Sequence, residues 1–159
     1  MIFYCPNCWA RVREDEKTCH ECQKDIEPLD HRSYFEKLIS ALNHSERTTR
    51  IRAAYILGEI GDKQAVKPLN NAIKKTEDLF LIEGIALALG KIGGEEVLPI
   101  LIHLMQHKSF LVRRAALISL SKLKKREAAI VMKKALNDPS LSVQELAREI
   151  LQMQKRSVK

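Results

Sequence analysis

The chain has 159 residues, a formal net charge of +7, 45% hydrophobic residues and only 5% aromatics. That length fits one domain plus a small appendage, and the profile is that of a helical protein packed with leucine, isoleucine and alanine. No apolar run is long enough to cross a bilayer and no secretory leader precedes the first cysteine pair, so no membrane role and a cytoplasmic location are expected.

All four cysteines lie at the start, as Cys5-Pro6-Asn7-Cys8 and Cys19-His20-Glu21-Cys22 with ten residues between. Two Cys-x-x-Cys turns at this separation predict one structural zinc ion, because each turn aims two sulfurs at a shared point while its N–H groups stabilise thiolate charge. If all four bind as thiolates, the net charge falls to about +5. A segment this short cannot build a core, so the metal supplies its folding energy. A thioredoxin-like redox pair would need a βαβ context, disulfides an oxidising compartment, and a catalytic zinc an open coordination position. His20, between two ligands, is expected in solvent. Trp9, the sole tryptophan, is expected to pack on the ribbon or the first helix, or else to anchor a partner.

The string YCPNCWARVREDEKTCHECQKDI resembles a zinc-ribbon of the short bacterial or archaeal kind. In that family glycine usually follows each knuckle; Trp9 and Gln23 stand there in this chain. The resemblance implies Cys5, Cys8, Cys19 and Cys22 as the metal ligands, within a ribbon over residues 1–26. Residues 27–31 read as a linker, where Pro28 and its charged neighbours suggest a short, semi-stiff connector ending at His31.

The remaining residues, 32–159, repeat. Leu57-Gly58-Glu59-Ile60-Gly61-Asp62 returns as Leu89-Gly90-Lys91-Ile92-Gly93-Gly94, then as Leu120-Ser121-Lys122-Leu123 and Leu151-Gln152-Met153-Gln154, at spacings of 32, 31 and 31 residues. A fixed period of this size predicts stacked supersecondary units, each burying its apolar face on the next. A first helix in each unit carries an i, i+3, i+4, i+7 stripe: Ala53, Ile56, Leu57, Ile60 in one copy, and Ile85, Ala88, Leu89, Ile92 in the next. Gly61 and Gly93 sit where such helices end. A second helix follows, with stripes Val66, Leu69, Asn70, Ile73, then Val97, Ile100, Leu101, Leu104, then Ala129, Met132, Lys133, Leu136. Pro68 and Pro99 fall in its first turn, where a missing N–H costs little. Phe35, Leu38, Ile39 and Leu42 make an earlier second-type helix, so the array opens on a lone second helix and closes on a lone first helix, eight in all. Asp138 is the expected N-cap of a last helix beginning at Pro139.

The segments TRIRAAYILGEIGDKQAVKPLNNAI and FLVRRAALISLSKL resemble HEAT repeats, in particular the short variety of phycobilin-lyase-type proteins, over residues 32 to 154. The resemblance implies an all-α superhelix of about three and a half repeats, with second helices lining a concave binding face and the arginine of the Val-Arg position, here Arg50 and Arg113, used between units. It implies no single activity.

No catalytic motif is visible in the repeats. His103 and His107 stand at i, i+4 on one expected helix, a spacing that can bind metal, but no acidic residue accompanies them. The HEAT-repeat enzymes of the deoxyhypusine hydroxylase family hold iron through His-Glu pairs, and the only such pair here, His20-Glu21, lies in the knuckle. The chain is therefore expected not to be an enzyme but a protein-binding scaffold. Its partner face is expected at Lys67, Asn71, Lys74, His103, Gln106, Lys134 and Asn137, with Trp9 as a further anchor. Nucleic-acid binding through Lys74-Lys75, Arg114, Lys122 to Arg126, Lys133-Lys134 and Lys155-Arg156 is the rival reading, weakened by interspersed acids and few aromatics for base stacking. A third possibility is an accessory role like that of the phycobilin-lyase proteins.

Overall fold

The computed structural model describes residues 3–13, 15–26, 32–123 and 126–156. The expected connector at 27–31 and the pair Lys124-Lys125 lie outside the described residues. Strand β1 (Phe3–Tyr4) pairs antiparallel with β2 (Arg11–Val12), Phe3 opposite Val12 and Tyr4 opposite Arg11. Among the described residues eight α-helices follow: α1 Tyr34–Ala41, α2 Arg47–Ile60, α3 Val66–Lys75, α4 Leu79–Ile92, α5 Val97–Leu104, α6 Phe110–Lys122, α7 Arg126–Lys134 and α8 Leu141–Arg156.

The first helices α2, α4, α6 and α8 stack in one row, and the second helices α1, α3, α5 and α7 flank it. This is the expected all-α solenoid, opening on a lone second helix and closing on a lone first helix. Leu57, Leu89 and Leu120, the first three of the four recurring leucines, are each 0% exposed, and with Leu69, Leu101 and Met132 they form the core running through the stack, while the last, Leu151, is half-buried. The first helices approach backbone to backbone: a Cβ added at Gly58 would stand 2.7 Å from the Ala88 Cα. Helix α2 ends at Gly61, whose φ of 72° lets its N–H turn back to the Leu57 carbonyl.

Two phase details differ from the sequence reading. Ile60 is 45% exposed, because α2 buries Ala53, Ala54, Leu57 and Gly58 against its neighbours, one position round from the expected stripe. In α7 the buried residues are Ala128 and Met132, followed by Ala135, while Lys133 is exposed. Two adjacent alanines, 128 and 129, leave that register open to periodicity alone.

One turn recurs before every first helix. His44 Nδ1 accepts the Glu46 N–H at 2.9 Å, Thr76 Oγ1 the Asp78 N–H at 3.1 Å, His107 Nδ1 the Ser109 N–H at 3.0 Å, and Asp138 Oδ1 the Ser140 N–H at 2.8 Å. These positions are one repeat apart and share only a side-chain acceptor, which closes a local turn on the backbone N–H two residues on. Asp138 is thus not an immediate cap: α8 begins at Leu141, beyond the Pro139 start expected, and Asp138 serves the turn before it.

The Val-Arg arginines bind successive repeats together. Arg113 Nε and Nη2 donate to both Asp138 oxygens at 2.8 and 2.7 Å, and its Nη1 donates to the carbonyls of His107 and Lys108 at 2.8 and 3.0 Å. Arg50 Nη2 lies 3.7 Å from Asp78, which Arg47 also holds through a two-pronged contact at 2.8 and 3.1 Å.

Candidate metal centre and binding grooves

The two knuckles are built alike. In the first, Cys5 N–H donates to the Ala10 carbonyl at 2.8 Å and Trp9 N–H returns to the Cys5 carbonyl at 2.9 Å. In the second, Cys19 N–H donates to Lys24 at 2.8 Å and Gln23 N–H to Cys19 at 2.9 Å. Both turns need a left-handed residue in the place where the resemblance has glycine. Trp9 and Gln23 supply it, with φ of 63° and 57°. That conformation costs a side-chain-bearing residue roughly 1–2 kcal/mol, so something else must hold the knuckles closed.

The turns bring all four sulfurs within 4.8 Å of one another. Cys5 and Cys22 are 3.7 Å apart and Cys8 and Cys19 3.6 Å. A disulfide needs about 2.05 Å, and all four cysteines are free. A tetrahedron of metal–sulfur bonds of about 2.3 Å has edges near 3.8 Å, so the cluster has the size of a four-thiolate metal site. Cys5 and Cys19 are fully buried, Cys8 and Cys22 half-buried. Burial works against ionisation of Cys5, yet the N–H groups of Asn7 and Cys8, with the neighbouring thiols, bring it down to about 7. Burial first, and then the other three sulfurs, push Cys8 up to about 12. Four such groups favour a shared cation, which removes their mutual repulsion. His20 is not part of the cluster. Its ring is 55% exposed and hydrogen-bonds Glu16 at 2.8 Å, which raises its pKa.

The knuckle sits on the solenoid through His44, which is 6% exposed. The Tyr4 and Trp9 rings lie 5.0 and 4.8 Å from the His44 ring, and Trp9 packs against the repeat core. Arg32 adds hydrogen bonds to the Pro6 carbonyl and the Ser40 hydroxyl. Nothing in the sequence pattern singled out His44. The signal was its place one repeat before Thr76 and two before His107.

Of the residues expected on the partner face, Lys67, Lys74 and His103 come together. They rim a groove of about 740 Å³ between α3 and α5, floored by Val66, Ile73, Pro99, Ile100 and Leu104. Asn71 lies instead in a smaller depression with Ile39, Leu42 and Pro68. Gln106, Lys134 and Asn137 are exposed but line neither pocket. His103 and His107 do not share a helix face, because α5 ends at Leu104 and His107 closes the following turn on Ser109. A second groove, about 540 Å³, opens between the first helices α2 and α4 and was not anticipated; Tyr55 and Phe80 wall it. Arg113 is withdrawn from any phosphate-binding set by Asp138, and no described helix is long and apolar enough to cross a membrane.

A row of stacked helical pairs joined to a four-cysteine knuckle defines an α-solenoid with an appendage whose cysteines lie within reach of one metal ion. Residues 35–109 and 83–152 match the HEAT-repeat family model, and the chain belongs to the HEAT-repeat family. No curated protein matches it. Among solved structures it is similar to human deoxyhypusine hydroxylase in complex with glycerol, with a TM-score of 0.65 at 20% identity over 84% of this chain. The chain spans about half of that protein, 48% of its length, and at this identity the likeness is one of fold. It nevertheless overturns the expectation that the chain is not an enzyme, since a solenoid of the same fold is one. Stacking assembles side chains from separate repeats, so the want of a linear catalytic motif excludes no activity.

Proposed function

We propose that the chain is a scaffold whose groove between α3 and α5 captures an acidic and apolar segment of a partner protein, and whose N-terminal knuckles hold one structural zinc ion. The observation that supports this reading is the groove itself: an apolar floor under Lys67, Lys74 and His103, with Glu96 the one acid lining it among the described residues. Apolar anchors in such a floor supply affinity, and the cationic rim selects charge. HEAT solenoids present rigid extended surfaces of this kind. The zinc reading rests on the size of the sulfur cluster and on a ligand set that leaves no open position, which suits a structural ion.

The test pairs metal analysis with partner capture. Purified protein should carry about one zinc per chain. Lys67→Glu with Lys74→Glu should abolish capture of the partner from a nuclease-treated lysate, while circular dichroism stays unchanged. Capture that survives the double reversal overturns the assignment of this groove. Capture lost to nuclease, with a steep salt dependence, would move the function to nucleic acid.

A further inference from the structure

The face formed by the first helices carries most of the exposed apolar surface. Six of the eight large hydrophobic side chains exposed among the described residues belong to α2, α4, α6 and α8. On this face the groove of about 540 Å³ is floored by Ile51, Leu87 and Ala88. Its walls, Tyr55 and Phe80, are 58% and 53% exposed. Arg47 lies 4.6 Å over the Phe80 ring and Lys91 4.4 Å over Tyr55, so the walls are held upright by stacked cations. Gly84 leaves the floor open: a Cβ there would meet only an Ile51 methyl, at 3.9 Å. Packing does not demand that glycine, and in a helix interior it costs about 1 kcal/mol relative to alanine.

The charges divide along the same face. Leaving out the buried Arg113, α2, α4 and α6 with their N-cap residues carry six cations (Arg47, Arg50, Arg52, Lys91, Arg114, Lys122) against Glu46, Glu59, Asp78 and Glu83, which is six minus four, or +2. At the positions of α8 equivalent to the groove-lining row stand Leu141, Glu145, Glu149 and Met153. Leu141 and Met153 are 70% and 67% exposed, and both glutamates are exposed. Arg148 is turned to the Gln144 amide oxygen, at 3.0 Å. The row is thus apolar at both ends and acidic in the middle, about 18 Å long at 1.5 Å per residue.

We propose that this face joins two copies of the chain, with α8 of one seated in the α2–α4 groove of the other. The acidic row meets the basic rim, and Leu141 or Met153 enters the aromatic groove. Because one face carries both halves of the contact, two copies in reversed order satisfy both at once and close as a two-fold dimer rather than an open chain.

Sedimentation velocity of the full chain across a concentration series tests this, and charge exchange makes the test specific. Wild type should reversibly dimerise. Glu145→Lys with Glu149→Lys should weaken the dimer at least about tenfold, since like charges then face each other. Lys91→Glu with Lys122→Glu, the two cations that line the groove, should do the same from the other side. An equimolar mixture of the two variants should dimerise again, because both contacts become complementary, and that recovery excludes misfolding as the cause of either loss. A wild-type chain that stays monomeric at every concentration overturns the proposal. So does a dimer indifferent to both charge reversals, or one that the mixture fails to restore.

Discussion

Replacing Arg113 by alanine removes a guanidinium that is 9% exposed and strands the Asp138 carboxylate, 6% exposed, without its cation. Two charge-assisted hydrogen bonds disappear, and the carbonyls of His107 and Lys108 lose their donor. Breaking a buried pair from one side costs about 3–5 kcal/mol, and the two orphaned carbonyls place Arg113→Ala toward the upper end. At about 2–4 °C per kcal/mol for a chain of this size, the melting temperature should fall by roughly 10 °C or more. Urea denaturation followed by circular dichroism measures the loss directly. Arg113→Met combined with Asp138→Asn removes both charges but leaves an acceptor for the Ser140 N–H, so it should recover more than half of it. The pair also sets an acid limit. Burial pushes Asp138 up, but the bonds from Arg113 and Ser140 hold it below its ordinary 3.8. Its contribution is therefore complete above that value and lost as pH falls through the lower folded-state value. A loss under about 1 kcal/mol for Arg113→Ala, the size of an exposed pair, would refute the claim that this contact binds the third and fourth repeats.

Burial holds His107 below its ordinary 6.5, with the charges of Lys108 and Arg113 acting in the same direction. The unfolded chain therefore takes up the proton first, and stability should decline as pH falls below that value, by at most about 1.4 kcal/mol per pH unit. His107→Asn keeps an acceptor for Ser109 and should flatten the decline between pH 7 and 5; an unchanged slope would show that this histidine does not carry it. Gly58→Ala drives a Cβ to 2.7 Å from the Ala88 Cα, and should destabilise by about 1–3 kcal/mol in a denaturant melt. Stripping the knuckles with a strong chelator should shift Trp9 emission to the red as its ring leaves His44, and zinc should restore it. Emission that ignores the metal would separate the knuckle from the docking of Trp9.

The helices were legible because their buried leucines and terminal glycines are strings that repeat. The joints between repeats were not, because what repeats there is a hydrogen-bond acceptor. His44, Thr76, His107 and Asp138 look unrelated in sequence, yet each accepts the N–H two residues on. The same substitution of chemistry explains how the signature can fade at Leu120 while the stack continues: Ser121 replaces the glycine, but Leu120 and Ala116 remain fully buried.

The four sulfurs could be read from spacing because a Cys-x-x-Cys turn has few ways to point them. What spacing could not tell was whether Trp9 and Gln23 would spoil the knuckles. They do not, since each accepts a positive φ that its turn imposes, and in Trp9 the strained backbone also aims the indole at His44. Grooves are harder still, because exposure of an apolar residue depends on what covers it. Tyr55 and Leu87 occupy equivalent positions, and periodicity treats such residues as ordinary members of an apolar face. The row of first helices closes so tightly through Gly58 and Ala88 that little space remains between them for larger side chains. Tyr55, Leu87 and Phe80 are consequently left along an open groove instead of entering the core. The same small residues that let the repeats stack thus leave their outer apolar row without cover from the other described residues, which makes that row the surface where a charge reversal should be felt in assembly and not in folding.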